Sequence, residues 1–187
     1  MKKKLALVLS LCLMLNLFPV AALAVDENAE APTQAVTTVE QNQQPEAKEG
    51  DIAQVGDNKY TDLQKALDAA STAESKVVTL LGNVELSAQV TIPAGVTLDG
   101  KGHTISVAEG VTWDSTNPKK YMLVASGEGV TVKNLVVDAE SNAYGCLQFY
   151  KATNGNVSGF TGKNAKTLGL MVNASTVTAT GTIQLEG

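Results

Sequence analysis

A short β-prone phrase returns four times in this chain, and that recurrence most limits what the chain can fold into. The fullest copy is Ile92-Pro93-Ala94-Gly95-Val96-Thr97-Leu98-Asp99-Gly100-Lys101-Gly102-His103-Thr104-Ile105. Val, Ile and Thr suit a pleated, half-buried surface, and the Asp-Gly and Lys-Gly pairs supply the positive φ of a sharp corner. Gly129-Val130-Thr131-Val132, Asn156-Val157-Ser158 and Thr176-Val177-Thr178 echo it, with Val96, Val130, Val157 and Val177 standing 34, 27 and 20 residues apart. A drifting period around a constant strand-and-corner phrase describes stacked coils joined by loops of unequal length. Each coil must bury its apolar face on a neighbour. Asp99-Gly100 is also compatible with a two-residue hairpin, but the downstream copies favour a bent corner.

Gly95-Val96-Thr97-Leu98-Asp99-Gly100-Lys101-Gly102-His103-Thr104-Ile105 resembles the first full coil of right-handed parallel β-helix proteins of the pectin-lyase-like group. Val130 to Val137 is similar to the next coil of that group, with Asn134 at a left-handed corner, a conformation Asn tolerates better than most residues. Tyr60 to Ala70 resembles the helix that closes the N-terminal end of such solenoids. The resemblance covers residues 54–187. It implies an all-β right-handed parallel β-helix with a short N-terminal capping α-helix, and structural roles for Asp99, Gly100, Gly102, His103 and Asn134. It is specific for fold and not for activity, because the group includes lyases, hydrolases, esterases and non-catalytic adhesins. In character this chain is closest to the N-terminal parts of bacterial secreted or surface adhesin-like β-helix proteins.

Residues 1–24 read as a secretory signal peptide: Lys2, Lys3 and Lys4, an apolar run from Leu5 to Val20, and the small-x-small site Ala22-Leu23-Ala24. The run is short for a membrane span, so no span is expected after cleavage. Residues 25–53 are rich in Glu, Gln, Ala and Thr and hold no aromatic residue, the composition of a disordered linker. The solenoid domain then runs from 54 to 187. Thr61 is the expected N-cap, Gln64 the expected capping-box partner, and Leu63, Ala66, Leu67 and Ala70 one apolar helix face within 61–72. Val77 to Leu81 reads as a strand covered on both faces. Loops fall at 108–121 and 139–144. The strands expected after Gly145 are Cys146–Tyr150, Val157–Phe160, Leu168–Val172, Val177–Ala179 and Thr182–Leu185. The end near Gly187 carries no capping pattern, so end-to-end self-association through the last coil is expected.

The full chain carries −5, and residues 1–24 hold three Lys and no acid, so the cleaved chain carries −5 − 3 = −8. An acidic secreted chain is a poor partner for nucleic acid or anionic membrane. All 14 basic residues are Lys. Lyases of the resembled group use an Arg as base, and its esterases an Arg to hold a carboxylate. Neither has a candidate here. A glycosidase needs two carboxylates about 5–10 Å apart. Asp99 and Asp138 sit at different depths in their coils and should not stack. Asp138, Glu140 and Asn142 form the best local oxygen cluster for calcium, but a solvated loop is the preferred reading, and no cofactor or metal is expected. His103 is the only His and reads as a corner residue. Cys146, the one Cys left after cleavage, reads as a buried hydrophobe. Trp113, Tyr121 and Tyr144, with Asp138 and Glu140, are the candidate ligand-binding residues, as an aromatic platform for sugar rings beside acidic loop groups. The function expected is a secreted or cell-surface, non-catalytic domain presenting loops to an extracellular glycan or protein. The alternative is the N-terminal portion of a polysaccharide-active enzyme without its catalytic coils. Secreted protein should begin at Val25, which N-terminal sequencing checks; material still starting at Met1 excludes cleavage.

Overall fold

A computed structural model describes residues 50–113 and 121–187. The expected signal peptide, most of the expected linker and the middle of the first long loop lie outside these residues. Strands β1 (Ala53–Val55) and β2 (Asn58–Tyr60) form an antiparallel hairpin, and helix α1 (Leu63–Thr72) follows. Strands β3 (Val77–Leu80), β4 (Val84–Leu86) and β5 (Val90–Ile92) make the first coil. The second is β6 (Thr97–Asp99), β7 (Thr104–Val107) and β8 (Tyr121–Glu128). The third is β9 (Thr131–Asp138) with β10 (Gly145–Thr153), the fourth β11 (Gly155–Lys163) with β12 (Leu168–Asn173), and β13 (Val177–Glu186) starts a fifth. From β3 onward every strand pairing is parallel, between one coil and the next. This is a β-solenoid of about four turns with its helix N-terminal to the coils. Asp99-Gly100 is a corner: β6 pairs with β3 and with the first half of β9, β7 with β4 and with the second half of β9.

The core is the stack of inward positions. Leu98 lies on Val132, and Val132 on Val157; Leu135 lies on Phe160; Leu123 lies on Leu147, and Ala125 on Phe149. All seven are buried. Truncating a core Phe such as Phe149 or Phe160 to Ala costs about 3–5 kcal/mol. The alternation B-x-B along the strands shows that they are half-buried. This corrects the reading of Val77–Leu81 as covered on both sides: Val77 is 38% exposed while Val78 and Leu80 are sealed.

The repeat is also offset from its sequence echo. Thr97 pairs with Thr131, Asn156 with Thr131, and Gly155 with Val177. The residue stacked between Val130 and Val177 is therefore Gly155, and Val157 sits two places further on. True offsets are 34, 25 and 22, and a slip of two preserves the inward face, so the echo still marks core positions. Glycine is needed at 155 because a Cβ there would meet Phe149 Cδ1 at 3.1 Å and Val177 Cγ2 at 3.3 Å.

The N-terminal end of the stack is sealed. The open edge of β3 carries β1, antiparallel. The edge of β5 is closed by one side chain: Gln64 Oε1 accepts from the Thr91 N–H (2.7 Å), and Gln64 Nε2 donates to the Thr91 carbonyl (3.0 Å). The side-chain amide thus stands in for the peptide of a neighbouring strand. The N-cap is Asp62, whose Oδ1 accepts from Lys65 N–H at 2.8 Å. Thr61 precedes it, since the helix begins one residue later than expected and Lys65 takes the N3 place assigned to Gln64. Leu63, Ala66, Leu67 and Ala70 are buried as expected. The β1–β2 hairpin escapes the sequence reading because Gln54, Asn58 and Lys59 are weak strand formers. Its signal is the Gly56-Asp57 connection, with Gly56 at φ 55°. Gln64→Ala, which strands the Thr91 N–H and C=O, should lower stability by about 1–2 kcal/mol in urea unfolding; an unchanged midpoint would show that water replaces the amide.

Candidate functional site

Two strand ends carry the same local device. At Asp99, Oδ1 accepts from the Lys101 backbone N–H at 3.1 Å, holding Lys101 at φ 52°. At Asp138, Oδ1 accepts from the Glu140 N–H at 2.9 Å, with Glu140 at φ 51°. Each aspartate also binds the next coil: Asn134 Nδ2 donates to Asp99 Oδ1 at 3.2 Å, and Asn164 Nδ2 to Asp138 Oδ1 at 2.9 Å. A weaker third case is Asn154 Nδ2 to Glu128 Oε1 at 3.4 Å. Asn134, Asn154 and Asn164 all have positive φ near 50°. The acid of one coil therefore holds the left-handed Asn corner of the next.

Asp99 is the most buried of these acids, at 4% exposure. Lys133 Nζ lies 3.3 Å and Lys101 Nζ 3.5 Å from its Oδ2. Burial pushes its carboxyl up, but the Lys101 N–H, the Asn134 amide and Lys133 together bring it below the ordinary value of 3.8. Gly100 packs on the same corner, where a Cβ would come within 2.5 Å of the Asn134 carbonyl oxygen. The Gly102 N–H donates to that oxygen, the His103 N–H to the Gly100 carbonyl, and the His103 carbonyl accepts from Val136. Asp99, Gly100, Gly102, His103 and Asn134 thus meet at one corner.

The candidate ligand residues gather at another corner, where β7 passes to β8, β9 to β10 and β11 to β12. Asn142 laces its loops: Oδ1 accepts from the Trp113 backbone N–H at 2.8 Å, and Nδ2 donates to the Val111 carbonyl at 2.6 Å. Lys166 N–H donates to the Ala143 carbonyl, and Thr167 N–H to that of Tyr144. Tyr121 and Tyr144 meet edge to face, 5.6 Å between centroids at 82°. Trp113 and Tyr121, however, are 4% and 6% exposed. They form the base of the corner and do not present a flat platform to solvent. Burial raises the Tyr121 phenol, with Tyr144 adding to it. The exposed rim consists of Glu140, Ser141, Asn164, Lys166 and Thr167. Cys146 is buried just inside, 3.4 Å from the Val137 and Lys163 carbonyl oxygens; burial foremost, and Asp138 beside it, push its thiol up to about 11. Such a thiol has little nucleophilic thiolate at neutral pH.

Asp99 and Asp138 face different partners along β9 and β11, Lys133 and Lys163. Among the described residues no three His, Cys, Asp or Glu groups converge as metal ligands, and no helix is long and apolar enough to cross a membrane. The sequence reading missed Asn142 and the Asn154 and Asn164 pairings. It also passed over Tyr150, which is 40% exposed with Lys151 Nζ 5.2 Å from its ring centroid. The detectable signal is an Asp-x-x turn followed one coil later by Asn.

Asp99 yields a signed pH dependence. Its folded value is depressed, so its stabilisation is fully present above the unfolded carboxylate value near pH 4 and is lost as pH falls through the folded value. Asp99→Asn should cost about 1–3 kcal/mol at pH 7 and flatten the acid limb of stability against pH, measured by denaturant unfolding; an unaltered acid limb refutes the assignment. No protein-family model, curated protein or solved structure matches this chain, and the functional reading therefore rests on the geometry of the two corners.

Proposed function

We propose that this chain is a secreted or cell-surface, non-catalytic β-solenoid of the right-handed, pectin-lyase-like kind. It works as an adhesin-like module that presents its loop corner to an extracellular glycan or protein. The observation that carries this reading is where the acids are spent. Asp99, Glu128 and Asp138, the carboxylates nearest the positions a polysaccharide-cleaving solenoid would use, each hold an amide of the following coil. A carboxylate fixed by two or three such bonds is held in place as an acceptor, whereas a general acid needs a raised pKa and an open path to the glycosidic oxygen. With no Arg in the chain, the Arg-based lyase and esterase mechanisms have no base or carboxylate clamp.

The rim of the loop corner is suited to polar recognition. It places a carboxylate (Glu140), an ammonium (Lys166), an amide (Asn164) and two hydroxyls (Ser141, Thr167) around a base stiffened by Trp113, Tyr121 and Tyr144. Rigid placement lowers the ordering cost of binding a flexible sugar or peptide. The expected result on an extracellular-glycan and matrix-protein array is binding that falls about tenfold or more for Glu140→Ala with Lys166→Ala, at unchanged stability. Incubation with polygalacturonate should release no product. Turnover abolished by Asp138→Asn would overturn the reading in favour of a polysaccharide-active enzyme.

A further inference from the structure

The two ends of the solenoid are built differently. At the N-terminal end β1 covers the edge of β3, and Gln64 covers the peptide of Thr91 on β5. At the other end β12 and β13 each pair on one side only, in a sheet order that finishes at them. Their inward positions continue the core columns: Leu170 lies on Leu147, Val172 on Phe149, Ile183 on Phe160. Val172 is 47% and Leu185 55% exposed, the two most exposed large apolar side chains described. From Leu168 to Gly187 the one charged residue is Glu186, and it is engaged with Lys163 at 3.5 Å. Edge strands that must stay unpaired carry lysines, prolines or inward charges. These carry none.

We infer that this face is the interface of a two-fold homodimer, in which the terminal turn of one copy stacks on the terminal turn of a second. The pattern of the turn selects a second copy as the occupant. Strands of a helical stack rise steadily around the turn. The two-fold axis that keeps a constant gap between two facing turns therefore passes through the middle of the turn. That turn runs β12, then the first arm of β13, then, beyond the left-handed corner at Gly181 (φ 67°), its second arm. Its middle is the first arm, at Thr178. The axis sets Thr178 against Thr178 of the second copy and brings β12 against the second arm of the other β13, antiparallel. In that register Leu170 faces Leu185 of the second copy, Val172 faces its Ile183, and Val177 faces its Ala179. Every inward apolar position meets another, and no polar position is turned into the core. A one-residue slip would break all three matches. The two Glu186 carboxylates lie on opposite sides of the axis, so like charges do not meet. An isologous pair of this kind closes on itself, and the sealed N-terminal ends stop it from growing into a fibre.

The test is sedimentation equilibrium of the purified protein at micromolar concentration, with three variants. The expected result is a dimer, with Leu185→Lys shifting dissociation at least tenfold weaker while retaining the native far-UV spectrum. Thr178→Cys should cross-link to itself under mild oxidation, because exposed Thr178 lies on the axis. Lys65→Cys, on the exposed side of α1, should not. A folded monomer at the same concentration, a dimer indifferent to Leu185→Lys, an assembly larger than a dimer, or a dimer that Thr178→Cys fails to cross-link would each overturn the proposal. The Thr178→Cys and Lys65→Cys pair keeps the test valid if Leu185→Lys does not fold.

Discussion

The left-handed corner is the constraint on which the rest of this solenoid depends. A coil this narrow must turn its chain within a residue or two, and it does so at positive φ. The column at Lys101, Asn134, Gly159 and Gly181 runs through four successive coils at φ between 50° and 67°. Each non-glycine residue held there costs on the order of 1–2 kcal/mol. The cost is offset locally, by Asp99 accepting from the Lys101 N–H, and between coils, by the Asn134 amide donating to the same oxygen. One carboxylate therefore shapes its own turn and locks the register of the next. Core columns such as Leu135 on Phe160 follow from that register, because a slip of one residue would turn every inward side chain outward.

This double use explains the chemistry of the acids. A carboxylate that accepts from a backbone N–H, an amide and two ammonium groups, as Asp99 does, is stabilised in its charged form. It has no proton to give at neutral pH. Asp138 follows the same design without the lysine pairs, accepting from Glu140 and Asn164. The solenoid's commonest acidic position is thus a structural one, and recognition is left to the loops.

Much of the fold was legible in the sequence because its two rules are local. Alternating Val, Ile and Thr mark the inward face, and glycine or asparagine marks the corner, so the coils, the helix face and the Asp99–Asn134 corner could be read residue by residue. What escaped depends on contacts between distant residues. Gly155 replaces Val157 in the stack because Phe149 occupies the space a side chain would need. Gln64 looked like a capping-box residue, and its partner Thr91 lies 27 positions away. Trp113 and Tyr121 carried the aromatic signature of a binding platform, yet loop packing buried both. Composition reports which side chains a corner has, and packing decides which of them solvent meets.

The unequal coil lengths obey a rule of their own. Between the first and second coils Val84 pairs with Ile105, an offset of 21, while Val90 pairs with Leu123, an offset of 33. The extra twelve residues all leave the stack between β7 and β8. Between the next two coils the offset falls from 32, at Thr104 and Val136, to 24, at Tyr121 and Gly145, across the same corner. Length is therefore added and removed at one corner, and the parallel registers before and after it are untouched. Loop closure is a weak function of length, so such changes cost little, and the hydrogen-bonded columns on the other corners bear the stability. A scaffold arranged this way separates two demands: the Asp–Asn corners hold the register, and the corner between β7 and β8 is free to take on whatever surface recognition requires.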